Sequence, residues 1–261
     1  MENVKGFAGV CRQEFQRLCF NWKIYVGMLI YIIVCYLSQV RIGGHFGVSA
    51  YTGMNYITDL SNMNKLLVLT AAFPLATSFC DDWSGKYMNQ VVLRSNSGAY
   101  IKGKIFMCAV SSFAISFIGL IIYSLFNTVL YGVGTESVQQ GEVFYDIGKS
   151  TIPFMMIIIR CFLFAIVSSV YAVAGLALSA FIPNRFVAVT APLFMNTIIE
   201  QIMNQLPKTL DLFRIQGGSE AYGGKTAITI VMSLMVVVGY ILLAGIAFSW
   251  IAKRRIKNEI T

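Results

Sequence analysis

Residues 105–130, IFMCAVSSFAISFIGLIIYSLFNTVL, run without a single charged side chain. A bilayer-spanning helix needs about 20 mostly apolar residues, and this stretch exceeds that. Five others approach or reach it: 24–40, 63–80, 153–182, 186–206 and 226–251, of which 63–80 is the shortest. With 57% hydrophobic and 12% charged residues, too little polar sequence remains for a soluble domain. The chain reads as an all-α integral membrane protein of six transmembrane helices, a single transmembrane domain over residues 1–261, with no internal repeat and no low-complexity linker.

The net charge of +8 would suggest nucleic acid in a soluble protein, but its placement gives a better account, and no nucleic-acid partner is expected. If six helices alternate, thirteen bases fall on one side: Lys5, Arg12, Arg17 and Lys23, then Lys86, Arg94, Lys102 and Lys104, then Arg185, then Lys253, Arg254, Arg255 and Lys257. The acids of that side are Glu2, Glu14, Asp81, Asp82 and Glu259, which leaves the whole excess there. Cytoplasmic loops are the ones rich in Lys and Arg. Both termini are therefore expected in the cytoplasm of a multi-pass protein of the cell membrane. The first 23 residues have mixed charge and no small-residue cleavage pattern follows the first apolar run, so no cleavable signal is expected.

None of the six cysteines, Cys11, Cys19, Cys35, Cys80, Cys108 and Cys161, lies in an expected outer loop, which argues against structural disulfides. The single histidine, His45, stands beside Gly43 and Gly44 without a second ligand, so no metal site is expected.

Before the first span, in residues 1–23, Phe7, Cys11, Phe15, Leu18 and Trp22 recur at intervals of three or four, with Lys5, Arg12, Gln13, Gln16 and Arg17 opposite. This pattern predicts an amphipathic helix lying in the membrane interface. Two compatible readings stand: an anchor for the first span, and a lever that transmits motion.

Between the second and third spans the pattern predicts a short helix over 82–94. Trp83, Tyr87 and Val91 share a face, Met88 and Val92 flank it, Asp81 and Asp82 sit where a helix N-terminus favours negative charge, and Ser95 to Gly98 break it. Exposed aromatic and Met side chains of this kind carry binding energy at interfaces; floating at the lipid headgroups is the alternative.

Phe79 at the end of the second span, Asp81 or Asp82, Gly85, Arg94, Tyr100 and Lys104 together resemble the permeases of ABC type-2 exporters, although family members often carry glutamate where the two aspartates stand. The resemblance covers the whole chain as architecture: interfacial helix, six spans, coupling helix, a sizeable segment between spans five and six, and a basic tail. It implies that the 82–94 helix docks on a separate ATP-hydrolysing subunit, with Asp81, Asp82, Trp83, Gly85, Lys86, Tyr87, Met88, Val91 and Arg94 at the contact. It also implies a second permease copy or relative, and ATP and Mg2+ bound by the partner rather than by this chain. The sequence agrees independently on nucleotides. Gly218 to Thr226 mimics the end of a P-loop, but five residues instead of four separate Gly218 from Gly224 and no strand precedes it.

Two charges interrupt the spans. Arg160 lies roughly 10 Å and Glu200 roughly 9 Å from the same outer surface at about 1.5 Å per residue. A charge in hydrocarbon is costly and finds partners. Either the two pair, or they line a polar outer vestibule with Asn196, Gln201 and Asn204, or both reach outward to the headgroups. The fifth span, with Pro192 inside it, is the least lipid-like. In the resembling family this span and short re-entrant helices after it form the outer gate, and the outer segment 207–225 with Gln201 to Phe213 supplies candidates.

The function expected is export of an amphiphile, such as a peptide, lipid or drug, because the spans offer apolar and amide groups rather than a charged cluster. One alternative is a membrane sensor or immunity subunit that does not transport. Another is an intramembrane enzyme, which clustered His, Glu, Asp or Ser groups would have to support. One His and one membrane Glu in different regions argue against an enzyme.

Overall fold

The computed structural model describes residues 2–20, 22–43, 47–60, 63–85, 97–134, 144–150, 152–203, 205, 207–217 and 226–260. Every regular element among them is helical: α1 (Glu2–Cys19), α2 (Trp22–Gly43), α3 (Ala50–Asn55) running into a π-helical turn (Tyr56–Leu60), α4 (Asn64–Ala76), α5 (Ser78–Ser84), α6 (Ser97–Tyr131), α7 (Phe154–Phe181), α8 (Arg185–Met203), α9 (Leu212–Gly217) and α10 (Thr226–Ile260). A single turn at Tyr145–Gly148 precedes α7, and a 3-10 turn at Lys208–Leu210 precedes α9.

Five helices, α2, α6, α7, α8 and α10, are long and apolar enough to cross a bilayer. On α10, Leu242, Leu243, Ile246 and Trp250 stand 60–67% exposed. So broad an apolar surface on helices of this length belongs in lipid. The chain is an all-α multi-pass membrane protein.

The expected span at 63–80 is built differently. It is divided at Thr77 into α4 and α5, neither of which has spanning length alone. Pro74 inside α4 removes one backbone donor and loosens the ladder just before the division. Gly27 of α2 sits against this turn: a Cβ there would meet the Thr70 carbonyl at 3.5 Å and the Pro74 ring at 3.6 Å. These are ordinary contact distances, so α2 packs closely against the proline turn.

Helix α7 is the axis of the fold, packed against α6, α10, α8 and α4. Its small residues explain the closeness. Ser112 of α6 donates to the Ser168 carbonyl at 3.3 Å, and Ser169 donates to the Ala109 carbonyl at 3.0 Å. Small residues and hydroxyls of this kind join helices where water offers no driving force. On the other flank Gly175 lies under the Pro192 ring of α8, where a Cβ would come within 2.8 Å of the ring carbon.

Candidate functional site

Helix α5 is only seven residues long, yet it is gripped from five other helices. Its buried carboxylate, Asp82, is 1% exposed. Arg17 Nη1 of α1 reaches Asp82 Oδ1 at 2.7 Å, and Lys104 Nζ of α6 reaches Oδ2 at 2.7 Å. Tyr100 donates its hydroxyl to the same Oδ2 at 2.9 Å. Glu14 of α1, itself buried, closes the circuit with Oε1 at 2.9 Å from Lys104 and 3.3 Å from Arg17. Each acid touches both bases. The result is a closed ring of two carboxylates and two cations joining α1, α5 and α6.

Burial of unpaired charge is expensive, and alternating signs are the way to make it tolerable. Burial alone would push the Asp82 carboxyl up, but Lys104 and Arg17 outweigh it and hold the group below the ordinary carboxylate range. Lys104 also donates to the Ser78 carbonyl at 3.4 Å, which ties α6 to the first turn of α5. With its charges committed to one another, the ring is suited to holding helices in place rather than to moving protons.

Asp81, on the next position, faces outward to two further helices. Arg185 at the start of α8 reaches it at 2.9 Å and Lys23 at the start of α2 at 3.8 Å, while the Thr77 hydroxyl donates to it at 3.0 Å. Trp83 completes the grip. It stacks on Phe79 with centroids 6.3 Å apart, Phe79 meets Phe248 of α10 edge-on, and the Arg255 guanidinium lies 5.3 Å over the Trp83 ring. Arg255 also donates to the Phe181 carbonyl at the end of α7, at 2.6 Å. The starts of α2, α6 and α8 and the ends of α5, α7 and α10 therefore meet at one basic end of the bundle.

Helix α1 is docked as well as tethered. Val10 lies on Gly103, where a Cβ would fall 2.6 Å from the valine, Phe7 meets Phe106 edge-on, and Leu18 packs with Met107 and Leu75. Residues 7 to 18 of α1 thus pack on the first turns of α6, around Tyr100 to Cys108.

These contacts correct three expectations. The helix expected over 82–94 does not begin at Asp82. Asp81, Asp82 and Trp83 belong to α5, which ends at Ser84, with Gly85 N–H returning to the Asp81 carbonyl at 3.0 Å. Asp82 and Trp83 accordingly face into the protein, because α1 and α10 fold over them. Lys86, Tyr87, Met88, Val91 and Arg94 lie outside the described residues. The interfacial face is divided too: Phe7, Cys11 and Leu18 turn toward α6, Phe15 stays exposed, and Trp22 opens α2 instead of closing α1.

The third correction concerns Arg160 and Glu200 at the opposite end, which do not meet. Arg160 donates to the Gly217 carbonyl of α9 at 2.6 and 3.1 Å, to Asn55 Oδ1 and to Thr58 in the π-helical turn, and lies 5.7 Å over Tyr51. Glu200 pairs with Lys65 at 2.7 Å. Equal depth on neighbouring helices fixes height, not azimuth, and α7 turns Arg160 toward α3. Asn196 is buried with its amide nitrogen unbonded, Gln201 is exposed, and Asn204 lies outside the described residues.

Sequence reasoning missed Glu14, and with it the ring. The signal was present: Val10, Glu14 and Leu18 form an i, i+4, i+8 stripe, and the stripe is what α1 buries. Lys23, Arg185 and Arg255 gave no local signal, since their partners lie far along the chain. Of the positions that carry the family resemblance, Phe79, Asp82, Tyr100 and Lys104 come together around α5, with Gly85 capping it. Compared with known proteins, the chain matches no family model, no curated protein and no solved structure.

Proposed function

We propose that this chain is the membrane-spanning permease subunit of an ATP-driven exporter of the ABC type-2 kind. In this reading residues 63–80 make the second of six passes, the basic end faces the cytoplasm with both termini, and residues 86–96 meet a separate ATP-hydrolysing subunit. That subunit binds ATP and Mg2+; this chain hydrolyses nothing. A second permease copy or relative completes the pathway, which carries an amphiphilic peptide, lipid or drug outward.

The observation that carries the reading is the ion ring of Glu14, Arg17, Asp82 and Lys104, in which Glu14, Asp82 and Lys104 are buried and Arg17 closes the solvent side. The segment 86–96 runs from Gly85 to Ser97, and the helices on either side of it, α5 and α6, are clamped together by Asp82, Tyr100 and Lys104. A push on that segment would be delivered to both helices and to α1 as one body. An ion ring that could not yield without exposing charge is a stiff transmission.

Co-purification tests it. Tagged protein drawn from its own membrane in mild detergent is expected to bring an ATPase subunit with it. The double variant Tyr87→Ala/Met88→Ala is expected to lose that subunit while inserting normally. Unchanged retention and unchanged ATP turnover in the variant would overturn the coupling assignment.

A further inference from the structure

A groove of about 670 Å3 opens on the lipid-facing side between α6 and α10, with α7 as its floor. Phe106 and Phe113 of α6, Ile166 of α7, and Leu242 and Ile246 of α10 line it, and Phe7 of α1 borders its basic end. Along α6 it runs from Lys102 to Phe113, about 16 Å at about 1.5 Å per residue. Half of a hydrocarbon core about 30 Å thick is about 15 Å. The groove is therefore one leaflet deep and begins at headgroup level.

Its mouth is positively charged. Lys102 is exposed and makes no ion pair or hydrogen bond among the described residues. On α10 the groove-lining stripe Leu242, Ile246 and Ser249 continues, one turn on, to Lys253, which is likewise exposed and unpaired among the described residues. Among the described residues the carboxylates of this end are already taken: Glu14 and Asp82 by Arg17 and Lys104, and Asp81 by Arg185 and Lys23. Two ammonium groups without a partner among the described residues thus stand at the basic end of an apolar channel of acyl-chain depth.

We infer that this groove holds one anionic phospholipid of the leaflet at the basic end, an acyl chain lying against α7 and the phosphate drawn to Lys102 and Lys253. Basic pockets between membrane helices select anionic headgroups in this way. The site needs only the membrane reading and stands apart from the transport proposal. A bound lipid here would bridge α6 and α10 beside the point where Ile105 passes Gly245.

The test is native mass spectrometry of the full-length protein in mild detergent, titrated with phosphatidylglycerol and, separately, phosphatidylcholine. The first phosphatidylglycerol is expected to bind about 10- to 30-fold more tightly than phosphatidylcholine, from two lysines at the headgroup. Lys102→Gln/Lys253→Gln should bring the two lipids level, and Ala109→Phe, which fills the groove, should weaken both. Equal binding in the unaltered protein, or a preference that survives the lysine double variant, overturns the inference. So does an unaltered protein that is dimeric and becomes monomeric with Ala109→Phe, since a second copy would then be the occupant.

Discussion

Two ion pairs in this molecule have the same 2.7 Å separation and opposite surroundings. Lys104 and Asp82 are at most 1% exposed in their side chains, at the basic end, inside a ring that also contains Glu14 and Arg17. Lys65 and Glu200 are 27% and 29% exposed at the opposite end, each within a turn of its helix terminus. Distance alone would rank them equal. The energetics differ because removing one member of a buried set strands the others without solvent, whereas a pair near the surface is screened and replaceable.

The sharpest way to break this comparison is Lys104→Met. It leaves Glu14 and Asp82 to share Arg17 and is expected to lower stability by about 3–5 kcal/mol, read as a fall in unfolding midpoint in detergent. A loss no greater than that of Lys65→Met would show that the ring is not the keystone. Replacing all four ring members by apolar residues of similar size should restore much of the loss, as buried ion pairs often tolerate.

Next in size is Gly103→Leu, which drives a side chain into Val10 and should cost about 1–3 kcal/mol by overpacking. Its particular signature is faster maleimide labelling of Cys11 as α1 lifts from α6. Unchanged labelling would mean that α1 keeps its seat by another route. Lys65→Met should lower stability by at most about 1 kcal/mol, with little change in midpoint.

The pH response is smaller again near neutrality. The Asp82 carboxyl sits below its ordinary value of about 3.9, so its contribution is fully present above that value and fades as pH falls through the lower folded one. The midpoint should stay flat from about pH 8 to about pH 5 and drop below about pH 4. Asp82→Asn should remove that drop, and an equally steep fall in the variant would place the acid sensitivity elsewhere.

The helices were legible because lipid imposes a one-dimensional rule: apolar runs of fixed length. The apolar run 153–182 coincides closely with α7, and 105–130 lies within α6, which begins eight residues earlier at Ser97. The α4 and α5 division was half visible in Pro74, but whether a proline bends or divides a helix depends on what packs beside it, here Gly27. The ring was not legible because its pairs join residues 14, 82 and 104, and sequence periodicity reports which face an element buries, not whom it meets. Lys104 and Tyr100 were reached only through the family resemblance, and Glu14 through neither route. For Arg160 and Glu200, depth could be counted along the chain while rotation about the helix axis could not.

The seat of Pro192 on Gly175 sets the kinematics of α8. Ring and backbone lie close there with no side chain between them, a contact that would resist sliding of α8 along α7 more than tilting about it. Any tilt of α8 would turn about this point, and Met203, eleven residues further along and about 16 Å away, would be carried through the longer arc.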